Sequence, residues 1–501
     1  MWSACAVDKP SKPVNNEFAL RRTHKRRNRY ASHHRCMTNT ASGPWRGLLA
    51  IGLGAGIAPM DFAVNVAFPA ITAAFALDVA SMSWLVVSYV LTYASLMLAF
   101  GKLGDIAGHR RVFCAGLLTG TLAFVACGLA TSYAWLLAGR VLQGVSTALV
   151  LSCAPAMVVA VCGESRRTWA LSRYSMMIAL AGIAGPVLGG VAIQWLGWAG
   201  VFWFRLPVTL LALWLLACLP AVDARPATQR FDVLSAMLLA GGLALLLLSP
   251  ALWNGVHDLL PFVAAGGGIV SLMLFARRER RVAEPVLPPV VLRDPELLAA
   301  NLVSVAVNLV GFAIPMIVPY HLARIGGFDA AQMGLLLAAS TVGMFAGSMA
   351  TPRVMQTLGQ RRATLLGVAL VALAQGSIAA WTQTPLLPPV IALIAALLLH
   401  GVGIGLFQVS YTDLIVATLP QQNRGVAGSL AMLTRTIGVI IASVVLSGAL
   451  QMLEARNLAA GQAANAAFNA AFGTVFWTTT LLLGAVLVLG CLRTTRSLRS
   501  P

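Results

Sequence analysis

Acidic residues are scarce in this chain: aspartate and glutamate together number 16 among 501 residues. All charged residues make up 10% of the sequence, too few to clothe the surface of soluble domains of this length. The eight cysteines stand singly, with no C-x-x-C pair and no ligand spacing, so neither a disulfide framework nor a metal site is indicated. No Walker motif occurs, which excludes a nucleotide-driven pump in a single chain. Residues 401–405 read GVGIG, but they lie inside an apolar run with no preceding strand and no following ribose-binding acid, so dinucleotide binding is excluded too. Neither a histidine-rich cluster nor a serine–histidine pair falls at matched depth, which argues against an enzyme. Residues 1–43 contain no apolar h-region of the signal-peptide type.

Apolar residues dominate what remains. They make up 58% of the chain, and the mean hydropathy is +0.82. Runs of about 17 to 25 apolar residues, each able to cross roughly 30 Å of hydrocarbon as a helix, recur along the sequence. Fourteen are expected, centred near Gly56, Tyr93, Gly120, Gly144, Ala184, Leu210, Gly241, Ile269, Leu309, Ala339, Gly367, Leu397, Ile440 and Leu483. The formal charge of +19 raises the question of a nucleic-acid partner, and the placement of the cations answers it. With both termini on the cytoplasmic side, Lys102, Arg110, Arg111, Arg166, Arg167, Arg277, Arg278, Arg353, Arg361, Arg362 and Arg424 all fall in cytoplasmic segments, against Arg324 and Arg456 outside. This is the positive-inside pattern of an all-α polytopic membrane protein. No nucleic-acid partner is expected.

The expected organisation is six helices, a central pair and six more. A basic, disordered tail spans 1–43, with Met37 a candidate true start; residues 44–222 form the first bundle and 223–281 the central pair. A proline-rich cytoplasmic linker covers 282–296, a second bundle 297–492, and a short cytoplasmic tail 493–501. The two bundles carry a faint repeat. The run around Arg140 aligns loosely with that around His400, and residues 101–111 align with the segment from Gly347 to Arg362.

Residues 101–113, GKLGDIAGHRRVF, form a charged, glycine-punctuated turn between two apolar runs. Gly104 and Gly108 permit the tight turn, and Arg110 and Arg111 sit where lipid phosphates lie. Residues 60–69, MDFAVNVAFP, put Asp61 deep in the first span, where an unpaired charge costs on the order of 3 kcal/mol. It needs either a partner or a proton-carrying role. Arg140 and Gln143 stand in RVLQG within the fourth span, at a similar depth, and a pair with Asp61 is expected. An arginine does not release its proton at working pH, so its role there is to tune the carboxylate and exchange partners; a structural arginine is the alternative. Asp413 and Arg435 are a second candidate pair near the cytoplasmic surface. His400 is a candidate titrating group, or a hydrogen-bonded neutral one. Arg205, near the outer end of the sixth span, either snorkels outward or faces a cavity and favours anionic or zwitterionic substrates.

These motifs, in this order, resemble the major facilitator superfamily, in particular its fourteen-helix drug:proton antiporter branch. The turn at Gly101, Asp105, Gly108, Arg110 and Arg111 resembles the family's G-x-L-x-D-x-x-G-x-R-R loop, which implies a charge latch at Asp105; Ile106 and His109 replace its usual arginines. Residues 182–190, GIAGPVLGG, match the antiporter motif through Gly182, Gly185, Pro186, Gly189 and Gly190. Asp61 stands one residue closer to Asn65 than in the branch pattern, a rotation of about 100° on a continuous helix. Arg205 replaces the usual asparagine of FWFRLP. The resemblance implies alternating access by two bundles and a cofactor-free exporter of amphipathic compounds from the cell inner membrane, driven by the proton gradient. The small-molecule substrate, protons and the bilayer are its implied partners, with a monomeric unit and periplasmic adaptors as candidate assembly partners. A proton-coupled metabolite symporter and a non-transporting sensor are the alternatives.

Overall fold

Long runs of helix-compatible apolar residues, interrupted by glycine and proline, fold as helices joined by short turns. The computed structural model describes residues 43–218, 233–249, 259–279, 295–381, 390–418 and 426–497, and among them there is no strand. The first half contains α1 (Gly43–Gly56), α2 (Phe62–Phe75), α3 (Met82–Ala107), α4 (His109–Gly128), α5 (Tyr133–Cys162), α6 (Arg167–Leu196), α7 (Gly200–Trp203) and α8 (Arg205–Ala217). Next come α9 (Val233–Leu248) and α10 (Leu260–Glu279). The second half contains α11 (Pro295–Gly311), α12 (Ala313–Arg324), α13 (Ala330–Leu358), α14 (Gln360–Ala380), α15 (Val390–Thr418), α16 (Val426–Ala459) and α17 (Ala464–Ser497).

Thirteen helical segments among the described residues are long and apolar enough to cross a membrane. Three of them join two helices each: α1 with α2, α7 with α8, and α11 with α12. The run expected near Gly241 is α9, which has 16 residues and is shorter than the rest. Leu122, Leu335, Ile391 and Leu481 are all more than 60% exposed. Such outward-facing leucine and isoleucine is the composition a bilayer selects. The tail at 1–42 and linker residues 282–294 lie outside the described residues, while 295–296 already begin α11 and α17 continues through 497.

Glycine fixes how closely these helices approach. Gly343 and Gly347 on α13 face the backbone of α15, and Gly401 and Gly405 on α15 face that of α13. A Cβ on Gly401 would stand 2.6 Å from the amide nitrogen of Met344, and one on Gly403 2.8 Å from that of Val371 on α14. Small residues are how membrane helices gain contact area when no hydrophobic effect drives them together. The two halves meet where α6 packs on α13, α3 on α16 and α2 on α12; α9 and α10 pack on each other, with α9 also against α3.

The turns define two ends. At one end stand the turns at Gly108 (φ 92°) and Gly359 (φ 78°), each a positive-φ helix stop. Each is followed by two arginines, Arg110 and Arg111 or Arg361 and Arg362. Arg166, Arg167 and Arg353 cluster at this same end, called the basic end below, whereas Arg324 and Arg456 lie at the other.

The α13–α15 seam leaves no room for a side chain. Gly401→Val should force the two backbones apart at a cost of about 1–3 kcal/mol, whereas Gly484→Ala, with nothing within 4 Å of its Cβ position, should be silent. Folded yield by size-exclusion chromatography and the Tm in detergent would check this; equal behaviour of the two variants would contradict the packing.

Candidate functional site

The first span is not one continuous helix. After Gly56 the chain turns, Pro59 opens a 3-10 turn over Pro59–Asp61, and α2 starts at Phe62. Proline suits this first position because its missing N–H has no partner to lose there. The irregularity lies before Asp61, which closes the turn in right-handed helical geometry (φ −62°, ψ −18°) and leads directly into α2, so its spacing to Asn65 runs over helical backbone.

Asp61 is held by four hydrogen bonds. Its Oδ1 accepts from Arg140 Nη1 at 2.7 Å, Arg205 Nη1 at 2.8 Å and Gln143 Nε2 at 2.8 Å. Its Oδ2 accepts one bond only, from Arg140 Nη2 at 2.9 Å. Arg140 is 2% exposed; its Nη1 donates to Gln143 Oε1 at 2.8 Å, its Nε to the Leu85 carbonyl at 3.1 Å, and its guanidinium lies 4.3 Å from the Tyr89 ring centroid. Arg140 and Gln143, three apart on α5, share a face. Such planar, bidentate pairing is specific to arginine.

Arg205 corrects both sequence expectations. It neither snorkels outward nor lines the cavity: it is 0% exposed, with Nε donating to the Val201 carbonyl at 2.8 Å. Its guanidinium sits 5.1 to 5.8 Å from the rings of Phe124, Phe202 and Phe204, a cation–π setting. The short helix α7 ends at Trp203, and after Phe204 Arg205 opens α8 with its side chain turned inward.

Next to this cluster lies a central cavity of about 700 Å³. Asp61, Arg140, Tyr89 and Tyr93 from the first half line it, as do Met344, Gln408 and Arg435 from the second. Ser172, Met176, Ser348, Met349 and Met432 carry it toward the basic end. A smaller cavity of about 120 Å³, walled by Asn65, Asn308, Ser340, His400, Gln408 and Arg435, adjoins it in the second half. His400 is buried, and its Nδ1 lies 2.9 Å from the Ser340 hydroxyl. Sequence reasoning did not select Asn65, Tyr89, Asn308 or Gln408 as site residues, although Asn65 stands inside the run MDFAVNVAFP.

Away from the basic end, the halves are closed by the glycines of α6. A Cβ on Gly185 would meet the Cα of Met60 at 2.9 Å, and one on Gly189 the Cα of Ala63 at 3.1 Å. On the other face of the helix, a Cβ on Gly190 would meet the Cα of Ala331 at 3.0 Å, and one on Gly182 the Thr341 methyl at 3.3 Å. Gly334 on α13 faces Pro186 and Gly190 in return. Thus the α6 motif touches both the turn that carries Asp61 and the opposing half.

One expected pair is absent. Asp413 is exposed and accepts from Gln360 Nε2 at 2.5 Å, while Arg435 is turned into the cavity, so they do not pair. The reason is rotation: the two side chains project from different faces of α15 and α16. Asp105, near the end of α3, lies 3.3 Å from His109, the first residue of α4, across the Gly108 turn; Arg110 donates to the Leu216 carbonyl at 2.8 Å. Gly101 and Gly104 face Ser152 and Cys153 on α5.

Two helical bundles around a central cavity with a charged cluster at its wall define a membrane transporter. The family model of the Major Facilitator Superfamily matches residues 51–443 and, in a second match, 297–500. This chain belongs to that superfamily, whose members are transporters and not enzymes. It is 30% identical over 411 residues to a tetracenomycin C resistance and export protein of Streptomyces glaucescens, covering 80% of this chain and 75% of that one. It is 31% identical over 386 residues to a cephamycin export protein of Amycolatopsis lactamdurans, covering 75% and 78%. Among solved structures, a bacterial homologue of the human lysosomal transporter Spinster, inward-facing and unoccupied, superposes with a TM-score of 0.65 at 16% identity over 91% of this chain and 97% of that one; this likeness shows the fold.

Asp61→Asn would leave Arg140 and Arg205 buried without their counter-charge, a change worth about 3–5 kcal/mol in buried ion pairs. Removing one cation as well, in Asp61→Asn/Arg205→Gln, should recover part of the lost Tm. A double variant no more stable than Asp61→Asn would contradict the charge balance described here.

Proposed function

We propose that this protein is an inner-membrane antiporter that exports amphipathic organic compounds in exchange for protons by alternating access. The observation that carries the reading is the position of Asp61, the one acidic side chain on the wall of the central cavity among the described residues. It sits within reach both of a bound compound and of the α6 seam. The resistance and export functions named for relatives of similar length support the direction of transport.

The chemistry follows from the hydrogen bonds. Asp61 Oδ1 accepts three, and Oδ2 accepts one. A proton therefore adds at Oδ2 once Arg140 Nη2 withdraws, and the neutral acid no longer holds two guanidinia together. Arg140 retains Gln143 and the Leu85 carbonyl, so it shifts partners rather than losing all of them. The turn at 59–61 is free to move against Gly185, and the two halves rock about the α6–α13 seam. Substrate enters from the basic end, which is the cytoplasmic end in this reading, and leaves at the other as the proton enters.

Everted membrane vesicles loaded with a pH-sensitive dye provide the test. Addition of a transported amphipathic compound should trigger proton release with wild-type protein, and the response should fall by at least about tenfold per folded molecule in Asp61→Asn, the range spanned by loss of a proton-transfer group. Undiminished release in that variant would sink the role of Asp61. Uptake by intact cells in place of efflux would sink the export direction.

A further inference from the structure

The cavity carries a charge imbalance that coupling through Asp61 leaves unused. Among the described residues lining the two cavities, Asp61 is the only acid, whereas Arg140 and Arg435 both face the space. Asp61 is already committed to Arg140 and, behind it, to Arg205. Arg435 comes from the opposite half, on α16, and lines both the larger and the smaller cavity. It forms no ion pair with any described carboxylate. The acids that flank it in sequence are engaged elsewhere, Asp413 with Gln360 and Glu454 with Arg324.

Besides Asp61 and Arg140 in the larger cavity and His400 in the smaller, the polar groups that line the cavities with Arg435 carry no charge, among them Tyr93, Gln408 and Asn308. Phe62, Phe312 and Met344 line both cavities and offer an apolar wall. A guanidinium at this depth is costly to leave unpaired. Its planar fork of donors matches a carboxylate or sulfonate better than any neutral head. A cationic compound, by contrast, meets two arginines on the wall and a third behind it.

We propose that the cavity selects amphipathic organic anions, with Arg435 anchoring the anionic head while Phe62, Phe312 and Met344 take the apolar body. The inference rests on the exporter reading and narrows its substrate class. It also assigns the two halves different tasks: proton exchange sits at Asp61 in the first, substrate charge recognition at Arg435 in the second.

Equilibrium binding to the purified full-length chain in phosphatidylcholine nanodiscs tests this without requiring transport. Calorimetric titration would compare three naphthyl probes of one size, bearing a carboxylate, a carboxamide or a trimethylammonium head. The carboxylate should bind at least about tenfold more tightly than the carboxamide, a difference of about 1.4 kcal/mol, and the trimethylammonium probe most weakly. Arg435→Gln should abolish the order, and Arg435→Lys should keep most of it, with gel filtration confirming that both fold. The comparison among probes on wild-type protein stands even if a variant does not fold. Trimethylammonium binding as tight as carboxylate binding, no binding of the carboxylate, or an anion preference that survives Arg435→Gln would each overturn the proposal. Anion-selective binding without efflux in vesicles would remove the exporter reading alone; efflux of cations without anion preference would remove this inference alone.

Discussion

One buried carboxylate organises the first half of this transporter. Asp61 neutralises one of two guanidinia that have no other acid within reach, and both Arg140 and Arg205 are anchored on it, each with one further bond to a backbone carbonyl. Taking such charges out of water is expensive, and the ion pairs and hydrogen bonds of the cluster offset it, with Arg205 Nη2 alone in the cluster left without a partner. The break before α2, the i,i+3 placement of Arg140 and Gln143, and the short helix α7 that delivers Arg205 are three separate backbone solutions to that single demand. Because the cluster is balanced by one acid against two bases, it responds to any further charge that enters the adjoining space.

The second constraint is steric. Where the halves meet away from the basic end, Gly190 brings α6 backbone against Ala331 of α13, while within the first half Gly185 and Gly189 seat the same helix on the turn and first residues of the Asp61 segment. Backbone contact transmits small displacements well because nothing soft lies between the surfaces. A change at Asp61 is therefore felt directly by α6, and through α6 by α13. The cavity and the seam are two faces of one short stretch of chain.

Much of this was legible in the sequence, for stated physical reasons. Hydrophobic length and the placement of arginines disclose a polytopic helical protein, because bilayer thickness and charge asymmetry act on composition alone. The facing of Asp61 and Arg140 could be anticipated, since two opposite charges at equal depth have few alternatives. Arg205 could not be placed: snorkelling and inward burial differ only in the direction of one side chain, and α7, four residues long, decides it. The Asp413–Arg435 pairing failed for a related reason, because each residue of helix turns a side chain by about 100° and equal depth does not imply equal facing. Asp61 itself was placed on a regular helix that Pro59 interrupts, a local break that apolar periodicity does not register.

The burial of Arg205 among three phenylalanine rings has a consequence for insulation. Its charge is shielded from water, approaches Asp61 from the side away from the basic end, and has no route to neutralisation by exchange with solvent. Any sodium ion or stray hydronium penetrating the closed end would meet this fixed positive field before it reached a carboxylate oxygen. An arginine locked in an aromatic collar thus sets a fixed positive field at that end of the cavity, repelling cations without engaging the surfaces where the halves meet.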